Sequence, residues 1–405
     1  MKTVAAAIDF GTSKIVTLLA ESGGFNRCDI IGSGTVPYDG YADGEWNSPE
    51  KLSEAIRSSI NAAELEAGQG GARHKVREVY VGVPCEYIHV ISAEGEVNIS
   101  SPDGRVVDDD LDNVQDAAAE QLDLARLDGC VIHRSPAWFS VDGGKHTMSP
   151  VGTKGGVLRA SVTFILADKY FIADIRKRLG EMDIKVLAFL SPALGEALQL
   201  MSIEDRDRSA VLIDIGYLNT EVSVVEGDAI TYHGVLPLGG GDITADLAQG
   251  LRIPMRAAEQ IKREYIFMPD EFDPEGDHEV QLEDGSRIVF TRADVQEIIE
   301  ARVDEIADLI GQTIEEARNY LGARSQVFLP GGGLAIMRGG REYLAEKLRR
   351  SVKAPLAKTA KHNSPVFASA LGLVDLVFDS IEQQAAQNDS FFGRIAGGVR
   401  NLMGW

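Results

Sequence analysis

The sequence predicts an α/β protein with two similar lobes, because one strand-turn motif occurs twice in it. In the first copy, an apolar strand ends at Asp9 and turns at Gly11 before a second apolar run. The run 210–216 repeats this pattern, with Asp214 and Gly216 at the equivalent places. At 405 residues the chain is also too long for one hydrophobic core and fits two large lobes.

The first turn has the chemistry of a phosphate-binding site. A glycine lets backbone N–H groups approach an anion closely, and hydroxyl and ammonium groups follow it. Asp9 can hold a metal ion through water. Because the motif is duplicated, we expect a nucleotide between the lobes, with a metal ion between Asp9 and Asp214. An ordinary hairpin turn is the alternative for this stretch alone. The residues of the turn are Gly11, Thr12, Ser13 and Lys14.

Two further glycine clusters lie in the second half of the chain. One precedes a predicted helix, whose N-terminal N–H groups can bind a phosphate. The other follows an apolar strand, in a turn that only small residues can make. The clusters are Gly239, Gly240 and Gly241, and Gly331, Gly332 and Gly333.

The two corners and the cluster at 331–333 resemble the phosphate-1, phosphate-2 and adenosine motifs of the superfamily of actin, Hsp70 and the sugar kinases. The resemblance implies an actin-like fold, in which a ribonuclease-H-like unit is duplicated. It also implies that Gly216 lies at the phosphates and that both later glycine clusters surround the ribose and base. In this superfamily the helix predicted at 255–265 lies beside the nucleoside, which implies contacts from Glu259 and Lys262. Surface ion-pair partners are the alternative for these two residues.

The remaining segments supply the scaffold of such lobes. Between about 85 and 166, short predicted strands surround one acidic helix at 108–124, which indicates a compact β-rich module inserted in the first lobe. The short strands are predicted at 88–91, 96–99, 137–141 and 156–166. Elsewhere the sequence predicts helices over 49–65, 168–182, 292–321 and 365–373 and from 191, a strand over 78–84, and a hairpin turning at 283–286.

Composition restricts the partners and the compartment. The net charge of −22 disfavours nucleic acid as a general partner, because a phosphate backbone would be repelled by most of the surface. The odd number of widely spaced cysteines, Cys28, Cys85 and Cys130, indicates thiols of a reducing cytosol. We find no signal-peptide pattern and no apolar run of membrane-spanning length, so a cytoplasmic protein is expected.

The last fifteen residues, 391–405, form an amphipathic segment behind a short polar tether. On a helical wheel, apolar side chains cover one side and no acidic residue interrupts it. We expect this segment to fold on anionic membrane lipid, because its four glycines disfavour a helix in water; docking on a protein is the alternative. The apolar side holds Phe391, Phe392, Ile395, Val399, Leu402, Met403 and Trp405, and the polar side holds Arg394, Arg400 and Asn401.

Nearly the whole chain resembles the FtsA family of bacterial cell-division proteins, which are actin-like and tether the tubulin-like protein FtsZ to the inner face of the membrane. The resemblance is carried by the runs 8–14, 239–246, 258–262, 329–333 and 365–372, the inserted module and the tail. It implies ATP with Mg²⁺, head-to-tail self-association into filaments through an inserted subdomain 1C, and binding of the FtsZ C-terminal tail by subdomain 2B. It further implies other division proteins as partners and a peripheral position on the cytoplasmic face of the membrane at the division site.

The family's fold also implies subdomain boundaries. Subdomain 1A would comprise 1–84, 163–190 and a return at 358–381, with 1C inserted at 85–162. Subdomain 2A would comprise 191–240 and 308–357, with 2B at 241–307. A linker at 382–390 and the amphipathic helix at 391–405 would follow.

One motif departs from the family pattern. The second phosphate motif usually reads Asp-Ile-Gly-Gly-Gly-Thr-Thr-Asp, whereas Tyr217 and Leu218 here replace glycines and Asn219 replaces a threonine. This weakens the γ-phosphate site, so we expect at most slow ATP hydrolysis. An actin-like assembly protein of a pilus or secretion system is the main alternative function, and lipid binding by the tail distinguishes it. A small-molecule kinase of this fold is a further alternative, which substrate-stimulated ATP consumption distinguishes.

Overall fold

The structure is a computed structural model. It describes residues 3–23, 28–42, 44–69, 74–123, 126–268, 276–281, 285, 287–322, 325–354 and 364–389. The predicted amphipathic segment 391–405, with its proposed membrane-facing residues, lies outside them.

The described chain alternates strands and helices in the order that the sequence indicates. The strands are β1 (Val4–Phe10), β2 (Lys14–Ser22), β3 (Cys28–Pro37), β4 (Tyr41–Ala42), β5 (Glu45–Trp46), β6 (Glu78–Gly82), β7 (Ile88–Asn98), β8 (Cys130–Val141), β9 (Val157–Ala167), β10 (Lys185–Leu190), β11 (Ala210–Ile215), β12 (Thr220–Glu226), β13 (Ala229–Leu236), β14 (Asp277–Gln281), β15 (Arg287–Thr291), β16 (Gln326–Phe328) and β17 (Val352–Lys353). The helices are α1 (Pro49–Gln69), α2 (Asp108–Glu120), α3 (Lys169–Gly180), α4 (Pro192–Leu200), α5 (Ile203–Arg206), α6 (Gly240–Leu251), α7 (Met255–Glu264), α8 (Arg292–Glu316), α9 (Gly332–Ala335), α10 (Gly340–Leu348) and α11 (Ala368–Asp389).

Two five-stranded sheets share one topology, which confirms the predicted duplication. The first sheet has the order β10-β6-β1-β2-β3 and the second has the order β13-β12-β11-β16-β17. In each sheet, three consecutive strands pair antiparallel as a meander and two later strands add in parallel beside its first strand. The two predicted corners, at Gly11 and Gly216, are therefore the first hairpin turns of equivalent sheets.

Helices cover both faces of the first sheet, so its strands are apolar on both sides. Ile8 and Ile15 pack with α1 and α3 on one face, while Ala7 and Val16 pack with α11 on the other. On the α1 side, a Cβ at Gly34 would lie 1.8 Å from the Ser59 carbonyl oxygen, so the helix rests directly on the strand. This close approach explains the glycines in β3.

The inserted module is a three-stranded antiparallel sheet, β7-β9-β8, against which α2 packs. Two of the predicted short strands, at 88–91 and 96–99, form the single strand β7, because Gly95 continues the pairing with Ala160 instead of starting a turn. The Ser191 N–H group, at the start of α4, donates to His133 Nε2 of the module at 2.9 Å. Burial lowers the pKa of His133 to about 4, so its ring is a neutral acceptor.

The second lobe carries the predicted hairpin and the long helix. Strands β14 and β15 pair antiparallel, which confirms the hairpin, although most of its turn lies outside the described residues. The helix α8 begins at a capping box between Thr291 and Asp294 and continues as a short 3₁₀ turn from Ala317 to Tyr320. Its buried face packs on α6, α10 and the second sheet.

The last helix differs from the sequence expectation at its end. We expected the segment 382–390 to be an irregular tether, but α11 continues through it to Asp389. The segment contains Glu, Gln and Ala without Gly or Pro, and these residues allow a helix that has already begun to continue. Within the part of the chain that the structure describes, helices long and apolar enough to cross a membrane are absent.

Candidate functional site

One cleft brings together most of the residues that the sequence analysis singled out. It lies where the first hairpin turns of the two sheets meet, and α4, α6, α7, α9 and the start of α11 complete its walls. Three predicted glycines do not line the cleft, although each is next to a lining residue in the sequence: Gly239, Gly241 and Gly331. The predicted residues that do line it are Asp9, Gly11, Thr12, Ser13, Lys14, Asp214, Gly216, Gly240, Glu259, Lys262, Gly332 and Gly333.

The two corners have the same local geometry. The N–H group of Gly11 donates to the Lys14 carbonyl at 3.0 Å, and that of Gly216 donates to the Asn219 carbonyl at 2.8 Å. The glycine N–H groups thus close the hairpin turns and are not free for an anion. Phosphate contacts at the first corner would therefore come from the following residues and from the side chains.

Lys14 is held in place by the short 3₁₀ turn Pro365–Phe367, which precedes α11. Its Nζ atom donates to the Val366 carbonyl at 2.7 Å and lies 5.2 Å from the ring centroid of Phe367. Burial lowers the pKa of Lys14, while Asp9 and Asp214 act in the opposite direction. The ammonium group is therefore fixed at the first corner, where the charges of the two predicted metal-binding aspartates act on it.

Asp9 is a buried acid, and Asp214 is a partly buried one. Burial raises the pKa of Asp9 to about 6, although a hydrogen bond from Ser369 Oγ at 2.9 Å and the charge of Lys14 oppose the shift. Burial also raises the pKa of Asp214 to about 7, and the nearby carboxylates Glu221 and Asp9 add to this effect. Negative charge is thus poorly compensated at the floor of the cleft.

Glu196 belongs to the same cluster, and sequence reasoning missed it. Both of its carboxylate oxygens are buried and have no hydrogen-bond partner among the described residues. Burial raises its pKa well above the usual value, and Asp214, Glu221 and Asp9 raise it further. The sequence did contain one signal. In a helix that begins at Pro192, Glu196 lies one turn later on the same face as Pro192.

The acidic floor fits a hydrated divalent cation. Buried carboxylates without partners are costly, and a bound ion with its water shell would satisfy them. In the described part of the chain, three His, Cys, Asp or Glu residues are nowhere close enough together to hold a metal ion directly. Contact through water, as predicted for Asp9 and Asp214, therefore fits the arrangement better than direct coordination.

The glycine clusters let three turns pack on one another. A Cβ at Gly331 would lie 1.8 Å from Asp214 Oδ1, and one at Gly333 would lie 2.6 Å from the Gly216 carbonyl oxygen. A Cβ at Gly240 would lie 2.9 Å from the Cα atom of Gly333. These glycines are required for the close approach of backbone segments around the second corner.

The N–H groups at the start of α6 differ from the expectation. We predicted that the N-terminus of this helix would offer them to a phosphate, but all three bond within the protein, one to the helix itself and two to the second corner. Gly239 donates to Asp242 Oδ2 at 2.7 Å, Gly240 to the Gly216 carbonyl at 2.9 Å and Gly241 to the Tyr217 carbonyl at 2.6 Å.

Glu259 and Lys262 form an internal network instead of a surface ion pair. Lys262 is only 2% exposed, and its Nζ atom contacts the Gly240 carbonyl at 2.7 Å, Thr244 Oγ1 at 2.9 Å and Glu259 Oε2 at 2.6 Å. Glu259 Oε1 accepts from Arg263 Nε at 2.7 Å. The network fixes α7 against α6 at the wall of the cleft, where both predicted residues still line it.

Family models and curated relatives match this chain. The model of "Cell division protein FtsA" matches residues 211–372, and the model of "SHS2 domain inserted in FTSA" matches residues 85–166. FtsA of Bacillus subtilis (strain 168) is 26% identical over 375 residues, which cover 91% of this chain and 82% of the relative. FtsA of Escherichia coli (strain K12) is 23% identical over 418 residues, which cover 100% of this chain and 97% of the relative.

The chain is an FtsA-like protein. The match at 85–166 coincides with the β-rich module that the sequence predicted inside the first lobe. The match at 211–372 begins in β11, at the second corner, and includes α6, α7 and the glycine cluster at 331–333. Resemblance to cell-division proteins, as predicted, is thereby confirmed.

Solved structures confirm the actin-like two-lobed fold. A chain of the PilM-PilN type IV pilus biogenesis complex has a TM-score of 0.61 at 17% identity, covering 92% of this chain and 98% of that one. MreB5 of Spiroplasma citri, bound to ADP, has a TM-score of 0.54 at 11% identity, covering 95% and 98%. The ethanolamine utilization protein EutJ from Carboxydothermus hydrogenoformans has a TM-score of 0.52 at 14% identity, covering 92% and 89%.

Proposed function

We propose that this FtsA-like protein binds ATP with Mg²⁺ in the cleft between its lobes. The observation that carries the proposal is the meeting of the duplicated corners and the buried aspartates in one cleft. Thr12, Ser13 and Lys14 would contact the phosphates, while Asp9 and Asp214 would hold the hydrated ion. When bound, Mg²⁺ would neutralise charge on the phosphates and on the acidic floor.

The glycine cluster at 331–333 would lie at the base and ribose in this proposal. Gly332 and Gly333 line the cleft together with Ile336 of the following turn, so a flat ring can approach the backbone there. Hydrolysis, where it occurs, would be slow, because the second corner lacks the family's glycines. Turnover would then serve assembly rather than metabolism.

We further propose that the protein is a membrane tether for division filaments. It would self-associate through the inserted module at 85–162 and bind the C-terminal tail of FtsZ through the subdomain at 241–307. The segment 391–405 would lie on anionic lipid at the cytoplasmic face of the division site, where other division proteins assemble. The family match and the amphipathic pattern of the tail support this proposal.

Co-sedimentation with anionic liposomes tests the tether. We would compare the full chain with a truncated chain of residues 1–390, which keeps α11 intact, with and without Mg²⁺-ATP and purified FtsZ. The full chain should sediment with liposomes and bring FtsZ with it, and the truncated chain should do neither.

The alternatives give different results in the same assay. If neither chain binds lipid, the tail serves a protein partner and the pilus-type function becomes the better interpretation. If ATP consumption rises with a small substrate and lipid binding is absent, a kinase is supported instead. If the full chain sediments with liposomes but added FtsZ stays in solution, the proposed FtsZ binding is wrong and the membrane proposal stands.

A further inference from the structure

The second corner bonds across the cleft to the first lobe. The N–H group of Leu218 donates to Thr12 Oγ1 at 3.0 Å, which joins the two turns directly. A phosphate that contacted both turns would need the Leu218 N–H group, which is already engaged by Thr12. In this structure the hydroxyl of Thr12 is therefore an acceptor for the protein's own backbone.

Asn219 makes a second bond between the lobes. Its Nδ2 atom donates to Glu86 Oε1 at 3.1 Å. Asn219 is 6% exposed, so this bond is sheltered from water. Glu86 lies in the short 3₁₀ turn Cys85–Tyr87 that leads into the inserted module.

A third contact joins the same two places. His233, on the strand paired with β12, places Nε2 3.1 Å from the Cys85 carbonyl oxygen. Its Nδ1 atom lies 3.2 Å from Glu221 Oε1, so the ring is held from both sides. The beginning of the module is thus bonded to the second lobe through Asn219 and through His233.

Tyr217 fills the space that a glycine would leave at this corner. Its ring is packed so closely on α6 that a Cβ at Gly241 would lie 2.9 Å from ring atoms. Lys262 Nζ lies 5.8 Å from the ring centroid, and its hydrogen bonds are directed to α6 and Glu259. Lys262 is therefore engaged inside the second lobe.

We propose that Leu218 and Asn219 hold the lobes together in place of the terminal phosphate of the nucleotide, so that the cleft closes equally on ATP and ADP. This inference rests on the proposed nucleotide binding. A ligand shifts a conformational equilibrium only by its different affinity for the two states. Because the second lobe uses its donors for protein-protein bonds, the γ-phosphate adds little affinity and little closure.

Calorimetric titration of the full chain with Mg²⁺-ADP and a non-hydrolysable Mg²⁺-ATP analogue tests the first part. We expect the two dissociation constants to agree within about threefold, which is well below the tenfold ratio that corresponds to about 1.4 kcal/mol. The variant Tyr217→Gly/Leu218→Gly/Asn219→Thr, which restores the family motif, should favour the ATP analogue by about tenfold or more. A preference of that size in the unaltered chain would overturn the proposal.

Hydrogen exchange of the ligand-free chain tests the bonds themselves. Asn219→Ala should speed exchange at 85–87 and 217–221 by about fivefold, the effect of losing a bond of about 1 kcal/mol. The control Asn113→Ala alters an exposed residue of α2 and should change nothing at these segments. Glu86→Ala removes the same bond from the other side and serves if the first variant does not fold.

The two parts separate the failure of this inference from the failure of the proposed function. If neither nucleotide binds the unaltered chain, the nucleotide proposal is wrong, and exchange still decides whether the lobes are bonded as described. If nucleotides bind but Asn219→Ala and Glu86→Ala leave exchange unchanged, the bonds do not hold the lobes and the inference is wrong.

Discussion

The buried aspartates make the stability of the ligand-free protein depend on pH. Burial raises the pKa of Asp9 to about 6 and that of Asp214 to about 7, from 3.8 in each case. Between about pH 4 and pH 7 the folded protein therefore holds protons that the unfolded chain has released. Since the folded state binds more protons, the free energy of unfolding must fall as pH rises through this window.

The substitution Asp214→Asn should remove a large part of this dependence. A carboxyl whose pKa is about 7 when folded and 3.8 when unfolded destabilises the native state by about 4 kcal/mol at pH 8 and about 2 kcal/mol at pH 5. An amide carries no such charge. The difference in free energy of unfolding between the ligand-free variant and the unaltered chain should therefore grow, in favour of the variant, by about 2 to 3 kcal/mol from pH 5 to pH 8.

Urea unfolding at pH 5, 6, 7 and 8, with a chelator and without nucleotide, measures this difference. The control is Asp308→Asn, which alters an exposed aspartate of α8 and should leave the pH dependence unchanged. Equal pH profiles for Asp214→Asn and the unaltered chain would refute the reasoning. Added Mg²⁺ should raise the stability of the unaltered chain at pH 8 more than that of the variant, because the carboxylate is then compensated.

Three further predictions concern packing, phosphate binding and the tail. Gly34→Ala should destabilise the first lobe by about 1 to 3 kcal/mol in thermal unfolding, because its Cβ would clash with the backbone of α1. Gly68→Ala, which has open space around it, should instead stabilise α1 by about 0.5 to 1 kcal/mol. Lys14→Met should weaken Mg²⁺-ATP binding about 10- to 100-fold by calorimetry, because it removes a charged donor at the first corner. Phe392→Glu with Leu402→Glu should abolish liposome sedimentation while leaving the melting temperature unchanged, because charge on the apolar face prevents its burial in lipid.

Each of these predictions has a control and an opposing outcome. Equal stabilities of the two glycine variants would contradict the described contact between α1 and β3. Lys169→Met, on the exposed start of α3, should bind ATP normally, and an equal loss in it would show that Lys14 acts only through general charge. Asn401→Ser, on the polar side of the tail, should retain lipid binding; retention by the Glu double variant as well would contradict the membrane proposal.

Much of the fold could be predicted from the sequence, because its signals are local. The strand, turn and strand around Gly11 and around Gly216 lie within short runs, and their repetition predicted two equivalent sheets. The β-rich module was predicted from alternating short strands, although the strands predicted at 88–91 and 96–99 are one continuous strand, β7. The cap of α4 at Ser191 also followed from neighbouring residues alone.

The burial and the hydrogen-bond partners of individual polar groups were less predictable. Glu196 carried no motif, and its place beside the aspartates follows from how α4 packs under the cleft. Lys262 has the sequence of a surface helix residue, yet α6 covers it and takes its hydrogen bonds. Spacing along the chain does not reveal which groups another element will bury or pair.

Patterns within a few residues were enough to predict the duplicated corners, the inserted module and the residue types that gather at the cleft. Which of those groups remain available to a ligand depends on the tertiary structure. The bond from Leu218 to Thr12 joins residues 206 positions apart, and the N–H groups of Gly240 and Gly241 donate to carbonyl groups of the second corner. Such pairings depend on how the two lobes approach each other, and a hydrogen-bond donor that has found a partner in the protein is no longer free for a phosphate.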